Sequence, residues 1–326
     1  MTAHSDGARI LHLGDISGTS KSVIEVARTK GLDWVLRDVP AGRGANPALI
    51  MARRLRDLVS VRALRPRPDV LHINYGVSGY YGWGRKNVVL HLHGTDVRSD
   101  LLSPVLGPVV RHSIKSADVV LFSTPDMGDA VHRLRPDAQW FPAPLPPAAA
   151  TMQTLKRPRA GKKIFFASRW DDSKGAPGLL ELAASLQRHR TDLELVGLDW
   201  GSHAGQARDL GLRLLPLMST EEFRMQLAES DVVIGQIAVG ALGLSDLEAM
   251  AQGRPLVARF TLDAEYGGPA PLFNTEDAAP LSLVQQILAD PAAAAEVGAR
   301  GREWALAHHG AEKLEARLEA IYEKLL

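Results

Sequence analysis

The stretch GALGLSDLEAMAQGRPLVA, residues 240–258, breaks an apolar run with Gly240 and Gly243, opens a helix with Glu248 about one turn inside it, and returns to an apolar run. Upstream lies DVVIGQI (231–237), and its own end continues into RPLVARF (254–260). Two short apolar runs joined through one helix read as a βαβ unit, and a right-handed crossover makes the two strands parallel. Strands of that kind are covered on both faces, so they read as unbroken Val/Ile/Leu runs rather than as alternating ones.

The alternation extends in both directions. KIFFAS (163–168) and LELVGL (193–198) are strands, and GLLELAASLQRHR (178–190) is a helix between them. EEFRMQLAES (221–230) is a helix whose Ser219 and Glu222 stand at capping-box spacing. In the N-terminal half, residues 8–14, 34–39, 69–75, 87–94 and 117–124 read as strands, and residues 21–29 and 48–64 as helices. Between the halves, FPAPLPPAAATMQTLKRPRAGKK (141–163) carries Pro142, Pro144, Pro146, Pro147 and Pro158 without apolar periodicity, which reads as a linker. Leu314, Leu318, Ile321, Tyr322 and Leu325 form one stripe of a terminal amphipathic helix. The expectation is an α/β chain of two Rossmann-like, doubly wound domains, 1–145 and 146–310, facing an interdomain cleft. A helix over 311–326 is set to pack back on the first. Ligands of such sheets bind outside the carboxyl ends of the strands.

Composition excludes several classes. Lys plus Arg (38) balances Asp plus Glu (37), so no global charge argues for nucleic acid. The absence of cysteine removes disulfides, thiolate nucleophiles and thiolate metal sites. No basic segment followed by a long apolar run opens the chain, and no run reaches about 18 apolar residues, so a cytoplasmic soluble protein is expected.

Two places carry chemistry. In SRWDDSKG, Arg169 and Lys174 follow the strand 163–168, at the edge where an anion would sit. Two fixed cations there suit a pyrophosphate, and equally they suit ion pairs with Asp171 or Asp172. In the opening stretch, free amides and a helix dipole suit phosphate, Gly243 lets backbone approach it, and Glu248 is within reach of a ribose. The competing reading is a capping box, Ser245-x-x-Glu248, with Glu248 folded back on the helix start.

In combination, SRWDDSKGAPGLLELAASL, LELVGLDW, LPLMSTEEFRMQLAESDVVIG and GALGLSDLEAMAQGRPLVA resemble the donor domain of retaining glycosyltransferases of family 4, with the GT-B fold. DVLHINY, HLHGTD and ADVVLFST are similar to the N-terminal half of that family, less specifically. The resemblance implies that Arg169 and Lys174 bind the donor diphosphate and stabilise it as leaving group. It implies that Glu248 bonds the ribose hydroxyls, that backbone at Gly243 and Leu244 cradles the diphosphate, and that Leu215 to Leu217 lie along the base. Gly18 would approach donor phosphate and acceptor, His93 would sit beside the transferred sugar, and Asp96 would complete its loop. The family's GT-B members need no metal ion, so no cofactor is expected. His91 and His93 share one side of a strand, a geometry that also suits a metal pair, and Asp96 equally suits a helix cap.

The family pattern places a glutamate eight residues before Glu248, on the donor sugar; here that position is Gly240. A donor sugar needing no carboxylate, a contact taken over by Gln236 or Asp246, and a protein that binds nucleotide without transfer are the three explanations. The leading reading is a metal-independent glycosyltransferase moving a sugar from a nucleoside-diphosphate sugar to a small-molecule or glycan acceptor with retention. The alternatives are a non-catalytic nucleotide-sugar-binding subunit and a nucleotide-sugar epimerase of the same fold. For the acceptor, Tyr80, Tyr81 and Trp83 in NYGVSGYYGWGRK offer stacking surfaces or a loop packed on its own domain. The basic helix ARRLRDLVSVRALRPR (52–67) offers an anionic membrane a surface, or is a solvated face.

Overall fold

The computed structural model describes residues 8–40, 46–151, 162–190 and 192–326. The chain divides into two compact units, residues 1–147 with 311–326, and residues 148–310. Part of the expected linker, 152–161, lies outside the described residues.

The first unit holds a six-stranded sheet of β1 (Ile10–Leu13), β2 (Trp34–Arg37), β3 (Val70–Asn74), β4 (Val88–Leu92), β5 (Val119–Phe122) and β6 (Gln139–Trp140). Their order is β2-β1-β3-β4-β5-β6, parallel throughout. Alternate residues feed two cores. Leu11, Leu13, Leu71, Ile73, Leu90 and Leu92 pack with Val61, Val110 and Ile114 of the helices Pro47–Arg62 and Gly107–Ser116. Ile10, Val70 and Val89 pack on the other face with Val23 and Ile24 of the helix Thr19–Thr29 and with Leu314, Leu318, Ile321 and Tyr322 of the helix Ala311–Glu323. The terminal helix therefore completes the core of the unit that begins the chain.

The second unit repeats the design with β7 (Lys162–Phe166), β8 (Leu193–Leu198), β9 (Arg213–Leu215), β10 (Val232–Ile234), β11 (Leu256–Ala258) and β12 (Phe273–Asn274). Their order is β12-β11-β10-β7-β8-β9, again parallel. The chain runs outward from β7 to β9 on one side and from β10 to β12 on the other. Its direction reverses between β7 and β10, and the loops leaving those two strands flank the crevice where such sheets bind ligands. In the first unit the reversal lies between β1 and β3 by the same reasoning.

Candidate functional site

At the reversal point of the second unit, the loop after β7 runs through Arg169 and Lys174 into the helix Ala176–His189. The loop after β10 runs from Gly235 into the helix Leu244–Ala251. The two loops are stitched together. The Ile237 amide donates to the Lys174 carbonyl at 3.1 Å. Gly175 is left-handed (φ 86°), and a Cβ there would lie 2.6 Å from Ile237 Cγ1, so only glycine allows this approach.

Lys174 lies near enough to Asp246 to favour that acid's charged form. Arg169 is half-exposed, lies 3.4 Å from Asp171 and stacks 5.0 Å over the Trp200 ring. The ion pair with Asp171 considered from the sequence thus forms. Asp171 also accepts the Ser202 amide at 2.9 Å, and Asp172 is taken by His203 at 2.9 Å.

The helix start does not form the competing capping box of Ser245 and Glu248. Gly243 is the N-cap residue, and Asp246 Oδ2 accepts its amide at 2.8 Å. Asp246 is buried, and burial raises its pKa to about 6 against the pull of the Gly243 amide and Lys174. This engagement accounts for one Asp246 oxygen, Oδ2. Released from capping, Glu248 turns to a partner the sequence reading missed. Arg224, from the helix Thr220–Ala228, donates through Nε (3.2 Å) and Nη2 (3.0 Å) to Glu248 Oε1. Glu248 is 2% exposed; burial raises its pKa and Arg224 opposes the rise. A signal for Arg224 existed. It stands three and four positions before Leu227 and Ala228, both buried, and a cation on an inward helix face requires a buried acid.

Gln236 does not offer its amide to a ligand. Its Nε2 donates to the carbonyls of Ala241 (2.8 Å) and Arg259 (3.1 Å), and its Oε1 accepts the amides of Ala238 (3.1 Å) and Val239 (2.7 Å). The side chain ties the loop together instead. Gly240 ends that tie in a left-handed conformation (φ 77°), with an added Cβ 2.4 Å from Thr261 Oγ1. Thr261 closes the turn through its amide, 2.9 Å from the Gly240 carbonyl. Any side chain at position 240 would therefore strain the backbone and have to displace Thr261. Along the edge strand, Leu215 is half-buried and its carbonyl accepts from Asp199, while Leu217 is 70% exposed.

In the first unit, Gly18 is left-handed (φ 75°) at the start of the helix Thr19–Thr29, with open space where a Cβ would be. Even-numbered positions of β1 and β3 and odd-numbered positions of β4 put His12, His72, Asn74 and His91 on one face, and His93 follows at the carboxyl edge. Tyr322 Oη lies 2.5 Å from His72 Nδ1 and 3.3 Å from His12 Nε2. Ser123 Oγ lies 3.1 Å from both His91 Nε2 and His93 Nδ1, and His93 Nε2 lies 3.0 Å from Asn74 Oδ1. Burial lowers the pKa of His12 and His91 to about 3 and holds His72 and His93 well below the ordinary range. Both ring nitrogens of His93 are engaged, so it is a held, neutral ring rather than a free acid or base. Among the described residues no group of three or more His, Cys, Asp or Glu side chains has metal-holding geometry.

Asp96 is fully buried and accepts the amides of Gly76 (3.0 Å), His93 (3.0 Å), Gly94 (2.8 Å) and Val97 (3.1 Å). It organises its loop through these four amides. Tyr80 stacks on Tyr81 at 4.5 Å, and Tyr81 Oη donates to Asp57 at 2.6 Å. Trp83 donates to Ser113 Oγ at 3.3 Å, and it stands before β4, at the edge of the sheet opposite the site. The aromatic segment packs on its own unit, the second of the two readings of it from the sequence.

Residues 14–144 match the model of the glycosyl transferase 4-like domain. No curated protein matches the chain in sequence. Among solved structures, sucrose-phosphate synthase from Thermosynechococcus elongatus is similar with a TM-score of 0.71 and 18% identity, over 97% of this chain and 99% of that one. HepE from Anabaena, solved in complex with UDP-glucose, gives 0.72 and 14% over 97% and 100%. A UDP-forming trehalose-phosphate synthase from Burkholderia xenovorans gives 0.69 and 13% over 98% and 99%. At these identities the likeness is one of fold, and the fold is the GT-B fold of these glycosyltransferases. No helix among the described residues is long and apolar enough to cross a membrane.

Proposed function

We propose that this protein transfers a glycosyl group from a nucleoside-diphosphate sugar to a small-molecule or glycan acceptor, with retention of configuration and without a metal ion. The observation that carries the reading is the stitched pair of loops at the reversal point of the second unit. Arg169 and Lys174 leave one strand beside the amide-rich start of the helix Leu244–Ala251 that follows the other. Two cations and a helix N-terminus are the complement of a diphosphate. Glu248 accepts from the ribose hydroxyls, and the exposed Leu217 edge borders the base.

In this reading the bond between the anomeric carbon and the diphosphate oxygen breaks, and the electron pair leaves with the diphosphate. Arg169 and Lys174 stabilise that charge. The acceptor oxygen forms the new bond and gives its proton to the departing phosphate. Asp246 caps the helix start through Gly243, and this reading gives it no nucleophilic role. His93 lines the carboxyl edge of its own sheet and moves no proton.

The test is a calorimetric panel of UDP-, GDP-, ADP- and dTDP-sugars, with UDP-glucose first because HepE was solved with it. Binding that is lost when Arg169 and Lys174 are both replaced by alanine, together with an α-configured product from an α-configured donor by NMR, is the expected result. Binding of no nucleotide sugar, or affinity indifferent to both cations, overturns it. A second reading, a nucleotide-sugar-binding subunit without turnover, is favoured by Gly240, which stands where the family pattern has a carboxylate. Titration heat without the slow heat of turnover, across a panel of acceptors, selects that reading.

A further inference from the structure

We infer that Arg224 is a positioning residue for nucleotide recognition: it grips one oxygen of Glu248 so that the other is presented to the two ribose hydroxyls. This rests on the donor-site reading above and extends it to a residue that reading does not use.

Both Arg224 N–H groups converge on Oε1 of Glu248, at 3.2 and 3.0 Å, which leaves the second carboxylate oxygen outside the pair. The pair is nearly dry, with side-chain exposures of 12% for Arg224 and 3% for Glu248. Burying two charges costs more than an apolar pair of the same volume, so stability alone does not account for them. Orientation does: a carboxylate fixed through one oxygen has a single direction in which the other can accept.

The partner helix adds a second point. Arg224 lies on the helix Thr220–Ala228, which the segment 215–219 enters directly, with its capping box closed by Ser219 and Glu222. Leu217, in that segment, is the exposed large apolar residue that this reading sets beside the base. One short helix thus ties the base-facing segment to the ribose acceptor, and Arg224 is the tie.

The experiment compares ADP, GDP and UDP, each with its 2′,3′-dideoxy counterpart, by calorimetry on the full chain. The best-binding pair sets the ratio of dissociation constants. Wild-type protein is expected to favour the ribonucleotide by about tenfold or more, the size of hydrogen bonds to a charged acceptor. Glu248→Gln and Arg224→Met are both expected to cut that ratio to about two, while thermal shift reports folding separately. Arg224→Gln, which keeps a donor for Oε1, is expected to fall between that value and the wild-type ratio, and it decides the question if the methionine variant does not fold.

A merely structural arginine would lower the melting temperature and leave the ratio untouched. A reduced ratio in Glu248→Gln but a wild-type ratio in the folded Arg224 variants overturns the inference and spares the donor site. No loss in Glu248→Gln, or no nucleoside diphosphate bound by wild-type protein, overturns the donor-site reading itself.

Discussion

Replacing Gly240 by alanine tests whether the loop was rebuilt around glycine or merely lost a side chain. The left-handed conformation (φ 77°) costs a residue with a Cβ about 1–2 kcal/mol. The new Cβ would stand 2.4 Å from Thr261 Oγ1, far inside contact distance. Thr261 is β-branched and stiff, so turning it off its rotamer costs roughly 0.5–1.5 kcal/mol more. We expect a total loss of about 2–3 kcal/mol, read by urea unfolding followed through tryptophan fluorescence. At roughly 2–4 °C per kcal/mol for a unit of this size, the melting temperature falls by about 5–10 °C. The steric part should vanish in a Thr261→Ala background while the backbone part stays, giving a coupling of about 1 kcal/mol in the double-mutant cycle. A Gly240→Ala protein within about 0.5 kcal/mol of wild type, or a strictly additive cycle, would refute the reasoning. Gly240→Glu should fare worse than alanine and recover no activity, because the side chain has no path into the site.

Three further outcomes are expected. Tyr322→Phe removes the hydroxyl shared by His72 and His12, leaving buried nitrogens unpaired, and should cost about 1–3 kcal/mol in urea unfolding; a neutral result would mean that the network bears no stability. Arg169→Ala and Lys174→Ala should each weaken nucleoside-diphosphate binding by about tenfold or more, with a shallower salt dependence; unchanged calorimetric affinity in both would remove the phosphate clamp. Acidification should destabilise the protein. His12 and His91 titrate at about 3 when folded and near 6.5 when unfolded, so the unfolded chain binds more protons below pH 6.5. Each histidine then lowers stability by up to about 1.4 kcal/mol per pH unit as pH falls from 6.5. Asp246, raised from 3.8 to about 6, acts oppositely between those values, as do Glu248 and Asp96, both raised by burial, while His72 and His93, held well below the ordinary range, add to the loss as pH falls from 6.5. A melting temperature flat from pH 7 to pH 5 would contradict the neutral buried histidines.

The strands that could be read in advance are those covered on both faces. IFF in β7 and VVLHL in β4 are long apolar runs, and both are central. The two-residue edge strands β6 and β12 carry no such run, and neither was anticipated. Site residues follow a related division. The loop positions of Arg169, Lys174 and Gly243 were legible because they depend on where strands end. The engagement of Gln236 was not, because a polar side chain at a strand end looks the same whether it faces solvent or ties down its own loop; Asp96 and the segment of Trp83 read both ways in the sequence. Glu248 shows the point most sharply. Its spacing from Ser245 obeys the capping rule, yet Gly243 takes the cap position and Asp246 the box, so the glutamate is released to Arg224.

The helix Ala311–Glu323 belongs to the unit that begins the chain, and Tyr322 is wedged against His12, His72 and Trp34. During synthesis, a ribosome will have released the whole of the second unit before the first can close its apolar face. The nascent N-terminal half must therefore wait, with Ile10, Val23, Ile24 and Trp34 unsheltered, for the last turn of chain to arrive. A premature stop codon near residue 311 would thus harm the half of the protein already made, not the half it interrupts.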